Sequence, residues 1–196
     1  VAETGRDAHV SLSQVALGGA YARARIDTKM MGQGSSSETK AVYFGTRSAK
    51  HDFRTFQKHE APHTNSNLLF KGALDDESRA IYTGLIRIES DANDVNAYQT
   101  NRTLKLSDEA WAESVPNLEI ENNDVKCSHA SAVGPIDQDQ KFYLESRGVP
   151  SDIAEALVVK GFFGDLLDAL PVQMVGKAVN VRIEELLSLD LERSST

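Results

Sequence analysis

YARARIDTKMMG, residues 21 to 32, alternates between two kinds of side chain for most of its length. One set of alternate positions carries apolar or small side chains: Ala22, Ala24, Ile26, Thr28 and Met30. The other set carries charged side chains: Arg23, Arg25, Asp27 and Lys29. Successive side chains of a β-strand point to opposite faces of the sheet, so this pattern predicts a strand with one buried face and one face in water.

Similar short runs recur up to about residue 135, and each is bounded by Gly, Asn, Asp or Ser. These runs are HVSLS, KAVYFG, NLLFKG, AIYTGLIRI, RTLKLSD, NLEIENND and VKCSHAS. A β-sandwich and a β-solenoid both contain many short strands, and the period along one strand does not distinguish them. The spacing between strands favours stacked coils with loops of unequal length, because leucines near the strand centres fall at irregular intervals in the teens. They are Leu69, Leu85, Leu104 and Leu118.

The apolar period becomes helical after residue 136. An Asp-x-x-Gln signal at Asp137 predicts the start of a first helix, which a glycine and a proline then end. Apolar residues at spacings of three and four predict a second helix over 151–170 and a third over 172–188. We therefore predict a β region over 1–135 and a helical domain over 136–196.

The composition is that of an ordinary soluble protein, with 40% hydrophobic and 26% charged residues. No window resembles a membrane span, and the N-terminus VAETGRDAHV lacks the pattern of a signal peptide, so we expect a cytoplasmic location. A single cysteine requires no oxidising compartment. The net charge of −8 argues against nucleic acid and anionic membranes as partners.

The stretch DVKCSHAS, residues 124 to 131, contains that cysteine two residues before a histidine. In a strand, Cys127 and His129 share one face, and a thiolate with an imidazole suits iron, zinc or iron–sulfur species. Two ligands do not complete such a site, so a second region or a partner chain would have to supply the rest. The alternative is a buried cysteine that acts as a small hydrophobe beside a hydrogen-bonded histidine.

Other candidate features carry weaker signals. His51, His59 and His63 lie in HDFRTFQKHEAPHT, where Pro62 suggests a break and favours solvated loop histidines. Asp75 and its neighbour in KGALDDESR are typical of a turn. The chain contains no phosphate-binding glycine loop and no Gly-x-Ser-x-Gly nucleophile motif.

Two phenylalanines in the second predicted helix, Phe162 and Phe163, stand between two glycines. Glycine inside a helix costs about 1 kcal/mol relative to alanine. This arrangement suggests either a close helix contact or a surface for a partner.

Four stretches taken together resemble a known family: PHTNSNLLFKGALDDESRAIYTGLIRI, YQTNRTLKLSD, PNLEIENNDVKCSHASAVGPID and QKFYLESRGVP. They are similar to the SufB/SufD family, the scaffold proteins of the bacterial Suf system for iron–sulfur cluster assembly. The resemblance runs from about His59 to Leu170. It favours the SufD branch, because the SufB branch is expected to have Glu-His-Glu where this chain has Cys-Ser-His.

The resemblance implies a right-handed parallel β-helix followed by a small helical domain, and it implies a scaffold with no catalytic activity of its own. Members pair with SufB through the C-terminal strands of the two β-helices, and their helical domain docks on SufC, an ABC-type ATPase. The assembly site at the SufB–SufD junction would then include Cys127 and His129, which handle iron or a transient cluster. For the ATPase contact we predict Phe162, Phe163 and Leu166.

The resemblance also implies that the sequence begins inside the β-helix, as the C-terminal half of a longer protein. Two other functions remain open from the sequence. One is a β-helix carbohydrate-active enzyme, which would need clustered acids facing outward from its strands. The other is a structural fragment that self-associates through its edge coils into a homodimer.

Overall fold

The computed structural model describes the backbone of residues 1–194 and the side chains of residues 1–187. Within this range, strands come first and helices follow. The strands are β1 (Ala2–Thr4), β2 (His9–Ala16), β3 (Tyr21–Met30), β4 (Ser36–Gly45), β5 (Lys50–His59), β6 (Asn65–Leu74), β7 (Arg79–Ile88), β8 (Val95–Lys105), β9 (Trp111–Ile120) and β10 (Val125–Pro135). The helices are α1 (Gln138–Ser146), α2 (Ser151–Asp168) and α3 (Gln173–Ser194).

The strands form two parallel sheets. The first sheet has the order β1-β3-β5-β7-β9, and the second has the order β10-β8-β6-β4-β2. Consecutive strands therefore alternate between the sheets, and each coil contributes one strand to each, which gives a β-solenoid of about five turns. This confirms the β-helix implied by the family resemblance and excludes a sandwich, whose sheets are antiparallel.

The coils form a repeat that the strand spacing conceals. Tyr21, Lys50, Arg79 and Trp111 occupy equivalent positions in paired strands, so successive coils are 29, 29 and 32 residues long. The leucine spacing of between ten and twenty residues corresponds to half a coil, because successive leucines lie on strands of alternate sheets. Because each coil is divided by two turns of unequal length, no single period is visible along the sequence.

The turns are stacked as regularly as the strands. His63 and Asp94 occupy equivalent turn positions with φ of 59° and 52°, and their side chains pair at 2.9 Å. At the other edge, the amide of Arg47 donates to Oδ2 of Asp76 at 2.6 Å, and both residues also have positive φ. The stretch that contains Asp75 is thus a turn, as predicted.

The interpretation of the histidines as loop residues is wrong for His51 and His59. Both lie on β5 with their side chains inside the solenoid, 2% and 0% exposed. Pro62 follows the last residue of the strand and therefore does not interrupt it. His63 alone lies in a turn and is exposed.

The helices cover part of the outer face of the second sheet. Val42, Phe44 and Ala73 from the sheet share one hydrophobic cluster with α2 and α3. Two sheet lysines bind the carboxyl-terminal half of α2: Nζ of Lys40 donates to the carbonyl of Ala169 at 2.7 Å, and Nζ of Lys71 donates to the carbonyl of Phe162 at 2.7 Å and to Asp165. Apolar packing and these charged contacts hold the helices on the solenoid.

The predicted start of the first helix is confirmed. Asp137 is the N-cap of α1, and its Oδ1 accepts hydrogen bonds from the amides of Asp139 and Gln140 at 3.0 and 3.1 Å. Gly148, with φ of 89°, follows the end of this helix. Across the described residues, the helices are all too short or too polar to cross a membrane.

Candidate functional site

The last coil of the solenoid, formed by β9 and β10, is open on one side. Among the described residues, β10 pairs only with β8 and β9 pairs only with β7. The outer edges of both strands therefore present backbone groups that have no neighbouring strand. Such edges are able to bind another strand, and the interior of the last coil is open in the same direction.

Cys127 and His129 lie on the interior face of β10. Cys127 is paired with Ala97, and His129 with Gln99, and both of these β8 side chains are almost completely buried. Because alternate residues share a face, Ser128 points to the outside of the coil. The strand register thus places the cysteine and the histidine on one shared face, as predicted. That face lines the inside of an open coil.

The two side chains differ in their surroundings. Cys127 is half-buried and packs against an aliphatic cluster that includes Ile86, Ile88 and Val95. Burial raises the pKa of the Cys127 thiol above its ordinary value. His129 is exposed at the open end. In this chain alone the thiol therefore remains protonated at neutral pH, and a metal or a positive partner group would be needed to stabilise the thiolate.

The opposite wall of the open coil is apolar. Leu118 and Ile120 on β9 pair with Ile86 and Ile88, which are fully buried one coil below. In the last coil the same positions are 38% and 42% exposed. These side chains belong to the interior of a solenoid but have nothing stacked on them, as expected for a surface that another protein covers.

The donor set of this site fits iron and sulfide chemistry but is incomplete. A thiol and an imidazole are soft and borderline ligands. Across the residues with described side chains, no group of three or more His, Cys, Asp or Glu residues is arranged to hold a metal ion. The residues with described side chains therefore offer at most part of a ligand set.

The residues predicted to contact the ATPase lie in different surroundings. Phe163 and Leu166 are both 0% exposed, inside the core between α2 and the second sheet. Phe162 is partly buried, and Nζ of Lys71 lies 5.0 Å from the centre of its ring. Neither Phe163 nor Leu166 presents a side chain to a partner, and their proposed role in binding stays a prediction.

The sequence analysis did not single out the floor of the open coil. Gln99 and Asn101 on β8 lie inside the solenoid, directly below His129 and Ser131. Period-two alternation placed them on one face of a strand, but nothing in the sequence indicates which β10 residue stacks on which β8 residue. That register depends on the lengths of the turns.

Comparison with known proteins agrees with this fold. Residues 1–162 match the family described as "SUF system FeS cluster assembly, SufBD core domain". The chain belongs to this family. An "Iron-sulfur cluster assembly SufBD family protein" of Mycobacterium tuberculosis is 36% identical in an alignment that covers 96% of this chain and 49% of that protein.

Two proteins named "Iron-sulfur cluster assembly protein SufD" are also similar to the chain. The protein of Escherichia coli is 33% identical over 87% of this chain and 40% of its own length. The protein of Bacillus subtilis is 35% identical over 80% of this chain and 36% of its own length. The chain thus spans about half the length of the mycobacterial relative and less of these two.

Proposed function

We propose that this chain is part of a non-catalytic scaffold in iron–sulfur cluster assembly. Membership of the SufBD core family supports this role, and so does the similarity to two SufD proteins. The observation that carries the proposal is the position of Cys127 and His129 on the inner face of the last, open strand. In this account the two side chains bind iron, sulfide or a transient cluster that is passed on.

The partner that completes the site is a SufB-like protein whose own terminal coil stacks on β9 and β10. The free strand edges offer backbone hydrogen bonds, and the exposed Leu118 and Ile120 offer apolar surface. The partner's coil would then face Cys127 and His129 and supply the missing ligands. Contact with iron would lower the pKa of the Cys127 thiol and bring it into the thiolate form.

The test is to reconstitute the complex from full-length subunits and to measure its iron content and the visible absorbance of its cluster. Cys127→Ala and His129→Ala should each lower iron loading severalfold, because each removes one ligand. Ser128→Ala is the matched control, since Ser128 lies between them on the other face of β10 and should leave loading unchanged. Normal loading in both ligand variants would remove the assignment of the site.

The helical domain is the proposed docking region for a SufC-like ATPase. Several apolar side chains of the helices remain in water, among them Phe142 on α1, Ile153 and Leu157 on α2, and Met174 on α3. Ile153 and Leu157 are four residues apart and therefore share one side of α2. These residues form an exposed apolar surface that is available for such contact, whereas Phe163 and Leu166 are buried beneath it.

Self-association is a second function that the open coil supports. The same free edges and apolar positions are able to pair with a second copy of the chain. Light scattering of the chain, alone and mixed with a SufB-like protein, shows whether a second copy or the SufB-like protein binds the open coil. Replacement of a homodimer by a heterodimer in the mixture is the expected result for a scaffold.

The carboxylates do not favour a carbohydrate-active enzyme. Three carboxylates follow the ends of neighbouring strands in the first sheet: Glu60, Glu89 and Glu121. They form ion pairs with Lys58 and Arg87 at 2.6 to 3.3 Å. Hydrogen bonds from Lys58 and Arg87 hold the pKa of Glu89 below its ordinary value. Such an enzyme would need a groove of free acids that face outward, and these three carboxylates are instead paired with basic side chains.

A further inference from the structure

Two buried amide groups lie directly beneath the terminal strand. Gln99 and Asn101 on β8 are 1% and 2% exposed. Oε1 of Gln99 and Oδ1 of Asn101 have no hydrogen-bond partner among the described residues. Buried amide oxygens normally accept a hydrogen bond, because leaving one unpaired forfeits the contact it would have made with water. We therefore expect each of these oxygens to accept a hydrogen bond from a donor that is not in place in the chain alone.

The position of the Gln99 amide is fixed by the opposite sheet. A Cβ atom at Gly84 on β7 would lie 2.5 Å from Oε1 of Gln99, which is too close for any side chain there. The amide therefore crosses the interior and rests against the backbone of β7. A group held in this way has little freedom to turn toward a distant donor.

For Gln99 the strand register leaves one direction for a donor, whereas the amide of Asn101 also contacts a hydroxyl on β9, with Nδ2 3.1 Å from Oγ of Ser114. On the side of the preceding coil, Gln99 and Asn101 pair with Leu68 and Phe70, whose side chains have no donor group. On the side of the last coil, they pair with His129 and Ser131, which carry a ring N–H and a hydroxyl. Adjacent strands are about 4.8 Å apart, so a small rotation of the exposed His129 side chain brings a ring N–H toward the fixed Oε1 of Gln99.

We infer that Gln99 is a positioning residue for His129: its Oε1 accepts a hydrogen bond from one ring nitrogen when a partner covers the last coil. This inference rests on the proposed function, in which His129 is an iron ligand. The hydrogen bond fixes which ring nitrogen carries the proton and leaves the other free to bind iron. An amide orients the ring without adding a negative charge to the site.

Three variants separate this role from simple packing. Gln99→Met keeps the length of the side chain and removes the oxygen acceptor. Gln99→Glu keeps an acceptor but introduces a buried carboxyl group, so a purely structural role predicts that it is the more harmful of the two. Gln57→Met is the matched control, because Gln57 is 2% exposed and also has an unpaired Oε1 but lies on β5, away from the terminal coil.

The measurement is the affinity for iron(II) of the complex with a SufB-like partner, by anaerobic calorimetry, with nitrogen-15 spectra of His129 in the metal-free complex. Gln99→Met should weaken iron(II) binding about ten- to hundredfold, the usual effect of losing such a partner, and should give mixed ring tautomers. Gln99→Glu and Gln57→Met should keep both the affinity and a single tautomer.

The outcomes distinguish the positioning role of Gln99 from the proposed role of His129 as an iron ligand. Unchanged iron(II) affinity in Gln99→Met, with loss of affinity in His129→Ala, overturns the positioning role alone. Equal weakening by Gln99→Met and Gln57→Met also overturns it, because that result would reflect general destabilisation. Unchanged affinity in His129→Ala overturns the proposed site together with this inference.

Discussion

His59 shows how the interior of the solenoid controls the charge of a single side chain. Its ring is fully buried, with Nδ1 2.7 Å from Oγ1 of Thr64 and Nε2 2.9 Å from Oγ of Ser66. One hydroxyl donates and the other accepts, which satisfies a neutral imidazole. Burial lowers the pKa of His59 from 6.5 to about 4. Burial also lowers the pKa of His51, on the same strand.

These pKa shifts predict how stability depends on pH. The folded pKa of His59 lies below its unfolded value, so the unfolded chain binds more protons between about pH 6.5 and pH 4. The contribution of His59 is complete above that window and is lost as the pH falls through it, by up to about 3 kcal/mol. The free energy of unfolding in urea should therefore decline from pH 7 to pH 4.5, and His59→Gln should reduce the slope. An unchanged slope in that variant would contradict the account.

At this scale the sequence predicts which residues share a face but not what covers that face. The alternation in VKCSHAS was sufficient to place Cys127 and His129 on one side of a strand. The same reasoning could not identify Gln99 as the neighbour of His129, because that pairing is set by turns elsewhere in the coil. Helical spacing likewise identified an apolar face that includes Phe163 without showing that the sheet covers that residue.

At the scale of elements, α2 has one apolar side that is buried and one that is exposed. One side, with Val159, Phe163 and Leu166, packs on the sheet, and the other exposes Ile153 and Leu157. Apolar side chains grouped on the exposed side of a helix are typical of a surface that binds another protein, because binding removes them from water. We therefore expect the exposed side of α2 to contribute to docking of the ATPase.

A single charge on that side tests the expectation. Leu157→Glu should weaken binding of a SufC-like ATPase at least about tenfold, because a carboxylate would lose its hydration in the interface. The fold should remain intact, since Leu157 is 43% exposed. Ile81→Glu is the matched control: Ile81 is 38% exposed but lies on β7. Normal binding by Leu157→Glu, measured by calorimetry, would place the docking surface elsewhere.

Strand β5 is an element that the sequence did not predict correctly. Its histidines and the nearby Pro62 suggested a loop, whereas the strand runs unbroken from Lys50 to His59. The buried ring of His59 is bound by two hydroxyl groups, those of Thr64 and Ser66. Those partners come from the following turn and strand, and no local pattern links them to β5.

At the scale of the whole molecule, the net charge and the open end of the solenoid indicate which partners the chain is suited to bind. The net charge of −8 argues against nucleic acid and anionic membranes as partners, and the described part of the fold offers a different kind of surface, an open coil with free strand edges. A solenoid is stabilised by contacts between neighbouring coils, so its last coil is the least buried and the best suited to bind another protein. Cys127 and His129 lie in that coil.

Alkylation of Cys127 tests this central claim most directly, because the chain has one cysteine and the mass increase of this chain therefore reports on that position alone. In the free chain the half-buried thiol, with its raised pKa, should react slowly with iodoacetamide but to completion. Binding of a SufB-like partner should slow the reaction about tenfold or more, and binding of a SufC-like ATPase alone should leave the rate unchanged. Equal rates with and without a bound SufB-like partner would contradict the claim that Cys127 faces a shared site.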